Sequence, residues 1–187
     1  YMHPLLNLGV KFPPEAYNYG KRSSGETHGV VLTKPHIVDL ILDLTAYTVN
    51  RDLAALRLLE PSCGTGAFLV PAVRRLVQSA RRHRRKPSQL AECIQAFDID
   101  STHVEATRRA VEAALNDEGI GNGAAKSLAE GWIKEDDFLL TSLDDEGFDA
   151  VVGNPPYIRI EQLSPEIQSE YRRRYESLYD RADIYVA

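Results

Sequence analysis

The sequence predicts an α/β protein built on a mostly parallel sheet, and three observations predict it. Short apolar runs alternate with amphipathic helical stretches from residue 35 onward. The intervals between those runs are long enough to hold a helix, the connection that parallel strands require. Each run also ends in polar or glycine-rich residues: Glu60 with the loop after it, Asp98 with Asp100, Asp137 with Phe138, and Asn154 with Tyr157. Ligands of parallel sheets bind beyond the carboxyl ends of the strands, so the same pattern that predicts the fold predicts a site.

The elements follow in order. Residues 1–24, with Pro4, Pro13, Pro14 and "GKRSSG", read as an irregular amino-terminal arm. A helix is expected from Pro35, where Ile37, Leu40, Ile41 and Leu44 recur at helical spacing, with Thr33 as its candidate cap. "LRLLE" (56–60) is a short strand entering the turn "PSCGTG", and a helix follows with Leu69, Val73, Leu76, Val77 and Ala80 on one face. "CIQAF" (93–97) is the second strand. Ser101 is a candidate cap for the next helix, whose stripe is Val104, Thr107, Val111, Ala114 and Leu115. "NDEGIGNG" is expected as a loop, "GWIK" as the third strand and "DAVVG" as the fourth. Ser164-Pro165-Glu166 opens a last amphipathic helix.

Composition narrows the function. The 187 residues suffice for one domain with a real core, and 43% apolar with 26% charged residues is ordinary for a globular chain. No apolar run is long enough to cross a bilayer, so no membrane partner is expected. Cys63 and Cys93 are too few for a disulfide framework, and neither they nor the five histidines show metal-ligand spacing. A reduced, cytoplasmic protein without a bound metal is the expectation. The formal net charge of -5 opposes a self-sufficient nucleic-acid binder, although a separate basic segment can supply that surface.

"LEPSCGTGAFL" (59–69) is a strand–loop–helix junction. A dinucleotide fingerprint needs a third glycine where Leu69 stands, so that reading fails on spacing. Glu60 opposes it as well, because a carboxylate beside the loop repels a pyrophosphate and favours a cationic ligand. S-adenosyl-L-methionine, with a sulfonium, an amino group and no phosphate, meets that requirement. Asp98 then suits the ribose hydroxyls, Asp137 the adenine amino group, and Phe138 the ring face. Singly, each acid reads as a cap or a solvated turn; in series on successive strands they read as a pocket.

"VVGNPPY" (151–157) ends its strand on an amide, two rings without backbone donors and a phenol. A delocalised amine such as adenine N6 is a poor nucleophile. Acceptors aimed at its two hydrogens localise its lone pair, and the Asn154 side-chain oxygen and the Pro155 carbonyl suit that task, with Pro156 stiffening the backbone. Tyr157 offers a face to an extruded base. A plain Pro-Pro turn explains the prolines but not Asn154 and Tyr157 beside them.

With these stretches in order, the chain from Gly25 onward resembles the N6-adenine-specific DNA methyltransferases in which cofactor motifs precede the catalytic one, and among them the large restriction–modification enzymes. "HGVVLTKPHIVDLI", "LEPSCGTGAFL", "AFDID", "EDDF" and "VVGNPPYIR" carry the resemblance. It implies a Rossmann-like S-adenosylmethionine-dependent methyltransferase fold over residues 25–187, with four strands here and later strands and a target-recognition domain outside the chain. It implies a cofactor set of Thr33, Glu60, Pro61, Cys63, Gly64, Gly66, Asp98, Ile99, Asp137, Phe138 and Asn154. The target adenine is then held by Asn154, Pro155, Pro156 and Tyr157. The implied partners are duplex DNA, engaged mostly through regions absent here, and a fused nuclease domain or separate specificity subunit. The chain alone is expected to be a fragment that binds cofactor without turnover. The Val30-Val31-Leu32-Thr33-Lys34-Pro35 stretch departs from the family's usual aromatic and Thr-Pro residues, and "DRADIYVA" resembles the start of the next motif.

Two other readings stay open on sequence alone: methyl transfer to a protein glutamine or an RNA base, which also uses Asn-Pro-Pro-Tyr, and a non-catalytic cofactor-binding module. The basic run "RRLVQSARRHRRK" reads as the solvated carboxyl end of its helix rather than a DNA surface. Tyr171, Tyr175 and Tyr179 read as a packed helix face, Trp132 as core, and Cys63 as a space-filler in the loop.

Overall fold

A computed structural model of the chain describes Phe12, residues 33–143 and residues 147–187. The expected arm over residues 1–24, Phe12 apart, and the part of the "HGVVLTKP" stretch before residue 33 lie outside the described residues. Among the described residues four parallel strands form the sheet: β1 (Leu58–Glu60), β2 (Ile94–Asp98), β3 (Ile133–Glu135) and β4 (Ala150–Val151), in the order β3-β2-β1-β4. Leu58 lies in register with Ile94 on one side and Ala150 on the other, and Asp98 with Glu135. The three residues of β1 are all buried, as a central strand covered on both faces requires.

The described residues form five α-helices: α1 (Pro35–Leu44), α2 (Leu69–Arg82), α3 (Ser101–Asp117), α4 (Asn122–Trp132) and α5 (Pro165–Arg174). The stripes predicted for α2 and α3 are buried as expected. The cap assignments shift by one residue. Asp100, not Ser101, caps α3, accepting from the Thr102 N–H at 2.8 Å. Thr33 does not cap α1; Lys34 holds that position without a side-chain cap bond, and the Thr33 hydroxyl turns to Asn154 instead. Ser164 caps α5 as expected, accepting from the Ile167 N–H.

The larger correction is α4. The loop expected over "NDEGIGNG" shrinks to the few residues between Asp117 and Asn122, and Gly131 and Trp132 end a helix rather than begin β3. Trp132 is fully buried, and its indole N–H donates to the Leu90 and Ala91 carbonyls at 3.1 and 2.9 Å. That contact ties α4 to the turn before β2.

Two apolar cores result. The main one runs from Val38 through β1, α2, β2, α3 and α4 to Val152. A smaller one gathers Leu140, Ile158, Ile160, Leu163, Ile167, Tyr171 and Leu178, with Phe12 packed against it. It is closed by a chain reversal: Ile160 N–H donates to Ala182 O, and Ile184 N–H to Ile158 O, both at 2.9 Å. The small core therefore carries the segment that directly follows Asn154-Pro155-Pro156-Tyr157.

The basic run at the end of α2 is bound up with its neighbours. Arg75 bonds Asp39 and Asp43 of α1, Arg74 bonds Asp117, Arg81 bonds Glu118, and Arg85 bonds Asp52. Among the described residues no helix is long and apolar enough to cross a membrane.

Candidate functional site

The carboxyl ends of the strands carry the predicted residues. After β1 the chain turns sharply, with Cys63 N–H on Phe97 O at 2.8 Å and Gly66 N–H on Cys63 O at 2.9 Å. Gly64 and Gly66 take φ of +51° and +89°, the left-handed region that glycine occupies without a Cβ penalty. Their surroundings differ. A Cβ on Gly66 would stand 3.2 Å from Thr107 Cγ2, so this glycine lets the loop lie against α3. A Cβ on Gly64 would meet nothing within 4 Å, so that side of the loop faces open space.

Asp98, at the end of β2, is nearly buried and holds the loop. Its Oδ2 accepts from the Gly64 N–H at 2.8 Å, and its Oδ1 from the Asp100 N–H at 2.9 Å. Each carboxylate oxygen has a second lone pair, so both retain acceptor capacity. Ile99 follows half-buried. Two residues missed in the sequence sit here too. Thr107 Oγ1 donates to Gly64 O at 2.6 Å, and His103 Nδ1 lies 3.4 Å from Asp98 Oδ1. A threonine inside an otherwise apolar stripe was the signal for the first.

Glu60 is 1% exposed, and its Oε2 is buried with no hydrogen-bond partner among the described residues. Burial pushes its pKa well above the usual carboxylate range, and the charge of Asp98 adds to the shift. Burial thus disfavours the ionised carboxylate expected from the sequence. Pro61 is half-buried beside it; a Cβ on Gly153 would lie 3.8 Å from both Glu60 Cγ and Pro61 Cδ, so the end of β4 passes close by. Cys63 is buried, and burial raises its thiol pKa, followed by the charges of Glu60 and Asp98. Its side chain packs into the main core.

After β3, Phe138 packs on Phe97 with ring centroids 5.7 Å apart, which sets it beside the end of β2. Asp137 is buried and held at both oxygens. Oδ1 accepts from the Leu139 N–H at 2.9 Å and Oδ2 from the Tyr171 hydroxyl at 2.7 Å. After β4, Asn154 Nδ2 donates to Thr33 Oγ1 at 3.2 Å, and Asn154 Oδ1 accepts a longer bond, 3.3 Å, from the Tyr157 hydroxyl. Tyr157 is 58% exposed and meets Tyr185 edge to face at 5.7 Å. Pro155 is exposed and Pro156 half-buried. Among the described residues no group of His, Cys, Asp and Glu is placed to hold a metal ion.

These contacts form two groupings: Glu60, Pro61, Cys63, Gly64, Gly66, Asp98 and Phe138 around the β1 and β2 ends, and Thr33, Asn154 and Tyr157 at the β4 end. Asp137 alone is turned toward α5 by its tyrosine partner. The tyrosines of the α5 region divide: Tyr171 is buried, Tyr175 is half-buried, and Tyr179, expected on the same face, lies beyond the helix and is 77% exposed.

A glycine loop, buried acids and an asparagine bonded to Thr33 thus stand at the carboxyl ends of one parallel sheet. The particular family is shown by comparison. Residues 92–187, just over half of the chain, match the model of the Eco57I restriction-modification methylase, and the chain belongs to that family. It is 43% identical over 164 residues to the type II methyltransferase M.PaeR7I of Pseudomonas aeruginosa, covering 86% of this chain and 28% of the relative. It is 43% identical over 166 residues to the type II methyltransferase M.BstVI of Geobacillus stearothermophilus, covering 85% and 30%. A more distant relative, 25% identical over 214 residues, is the adenine-specific methyltransferase PglX of Streptomyces coelicolor, covering 89% and 17%. The chain thus spans less than a third of the length of these relatives.

Proposed function

We propose that the protein transfers a methyl group from S-adenosyl-L-methionine to the N6 amine of adenine in duplex DNA, as part of a restriction–modification system. The observation that carries this reading is the anchored amide of Asn154. With its Nδ2 donating to Thr33, the amide turns Oδ1 toward Tyr157, whose hydroxyl donates to it at 3.3 Å. Family membership and the names of the relatives support the reaction class, and the name of PglX supports adenine as the target.

The residues present fit the cofactor. Bound S-adenosylmethionine supplies a methyl group activated on a sulfonium. The buried, unpartnered Oε2 of Glu60 suits its positive end, and the open side of Gly64 leaves room against the loop. Asp98, with Ile99, would take the ribose hydroxyls on its remaining lone pairs, while Asp137 and Phe138 would take the adenine. Pro61, Cys63 and Gly66 shape the loop, and Thr33 supports the methionine end through Asn154. Asn154 Oδ1 and the Pro155 carbonyl would accept from the two hydrogens of the target amine, localising its lone pair. Pro156 holds that carbonyl in place, and Tyr157 stacks on the extruded base. No general base is required of these residues, because the amine sheds its proton after attack.

Labelled methyl transfer by the full-length protein, offered adenine-containing duplex DNA, RNA and a glutamine peptide, tests the reading. Duplex DNA is expected to be labelled. Asn154→Ala is expected to lower transfer by about 100-fold or more, far beyond any loss of cofactor affinity. Labelling of RNA or peptide in place of DNA, or undiminished transfer by the variant, would refute it.

A further inference from the structure

We propose that Tyr185 is a positioning residue for the target base: its ring holds the Tyr157 ring in place for stacking. This rests on the role given to Tyr157 above.

Tyr185 reaches Tyr157 through the chain reversal that closes the small core. Ile160 N–H donates to Ala182 O and Ile184 N–H to Ile158 O, both at 2.9 Å, and Arg159 and Asp183 form an antiparallel bridge between them. Ala182 and Ile184 pack against the small core, which fixes the backbone on which Tyr185 stands. A single 3-10 turn, Ile184–Val186, then carries the ring. Its centroid lies 5.7 Å from that of Tyr157 with the planes 69° apart, the edge-to-face geometry in which aromatic quadrupoles attract.

Burial does not account for the pair. Tyr157 is 58% and Tyr185 48% exposed, and neither belongs to either apolar core. The contact does restrain a ring that would otherwise turn about its side-chain torsions. Tyr157 has two such restraints, its hydroxyl on Asn154 Oδ1 at 3.3 Å and its ring against Tyr185. They differ in what happens when the base arrives. In the proposed reaction the target amine donates to Asn154 Oδ1, so the hydroxyl bond competes with the substrate. The ring contact does not compete for that oxygen. An edge-to-face neighbour takes at most one face of a ring, so a face of Tyr157 is left for the purine. Tyr185 is therefore the restraint that persists while the base is held.

The test measures labelled methyl transfer by the full-length protein to saturating, unmodified bacterial genomic DNA, together with cofactor affinity by calorimetry. Tyr185→Leu, which keeps bulk but no ring, is expected to lower kcat about fivefold and to leave cofactor affinity unchanged. Tyr185→Phe keeps the ring and is expected to restore the wild-type rate. In a Tyr157→Leu background the same Tyr185→Leu change is expected to cost almost nothing further, because the ring it steadies is gone. The fivefold loss repeated in that background marks a merely structural side chain and overturns the proposal. So do a full rate in Tyr185→Leu, a loss of rate in Tyr185→Phe equal to that in Tyr185→Leu, and a matching loss of cofactor affinity. If Tyr157→Leu transfers nothing measurable, the comparison of Phe with Leu at 185 decides. Wild type that methylates no duplex DNA sinks the functional reading and this proposal with it, whereas active wild type with an equally active Tyr185→Leu sinks the proposal alone.

Discussion

Glu60 is where a single residue says most about the ligand. Its folded pKa is raised by burial and then by Asp98, so the folded chain holds a proton that the unfolded chain gives up earlier. Its favourable contribution to folding is therefore fully present below the unfolded value and is lost as pH rises through the folded one. A cation lodged beside it reverses the shift, because an opposite charge favours the ionised form. Binding of S-adenosylmethionine at neutral pH is thus expected to release a proton. Calorimetric enthalpies taken in two buffers of different ionisation enthalpy should disagree for wild type and agree for Glu60→Gln. Identical enthalpies for wild type would remove the cationic-ligand argument. The sequence indicated the carboxyl group but not its protonation, since burial and the nearness of Asp98 arise only when β1 and β2 lie side by side.

At the scale of elements, the strands and the buried faces of α2 and α3 were legible in the sequence, whereas α1 buries Val38 and Leu42 rather than the expected Ile37, Leu40 and Leu44, and α4 was not foreseen. "NGAAKSLAEGW" has glycine near both ends, and Gly121 at its cap position offers no side chain to accept from the first turn. Local preference is weak there, and the helix forms because Ala125, Leu128, Ala129 and Trp132 find a buried surface. Trp132 is its anchor. Trp132→Ala removes a fully buried indole and two hydrogen bonds to the turn before β2. It is expected to destabilise the protein by about 3–5 kcal/mol in chemical denaturation, whereas a loss under about 1 kcal/mol would mean that α4 is held elsewhere. The basic run of α2 shows the opposite case. Its reading as a helix end rather than a nucleic-acid surface agrees with the acids of α1 and of the α3 end that Arg74, Arg75 and Arg81 engage.

For the whole molecule, β4 is the edge of the sheet among the described residues, and Val151 on it is 56% exposed. An uncovered apolar edge strand pairs with other chains. The 187-residue chain in isolation is expected to self-associate with rising concentration, and Val151→Lys to suppress this in light scattering; a wild-type chain that stays monomeric at high concentration would show the edge to be covered. The linear motifs were legible because each sits at one strand end, where a short stretch contains its own chemistry. The links between motifs were not. Asn154 meets Thr33 across 121 positions and Tyr171 meets Asp137 across 34, and no local pattern announces a partner so distant. Periodicity assigned Tyr171 to a buried face, correctly, but could not show that its hydroxyl had an acid to meet.

The phenol of Tyr157 rests on the very oxygen that an incoming adenine would need. On the proposed function, capture of the base would exchange one donor for another at that oxygen, the amine of the purine replacing the phenol. A guest that offers a hydrogen but no flat ring would displace the phenol and gain nothing in return. This contact would, on the proposed function, favour a planar guest before any recognition of sequence begins.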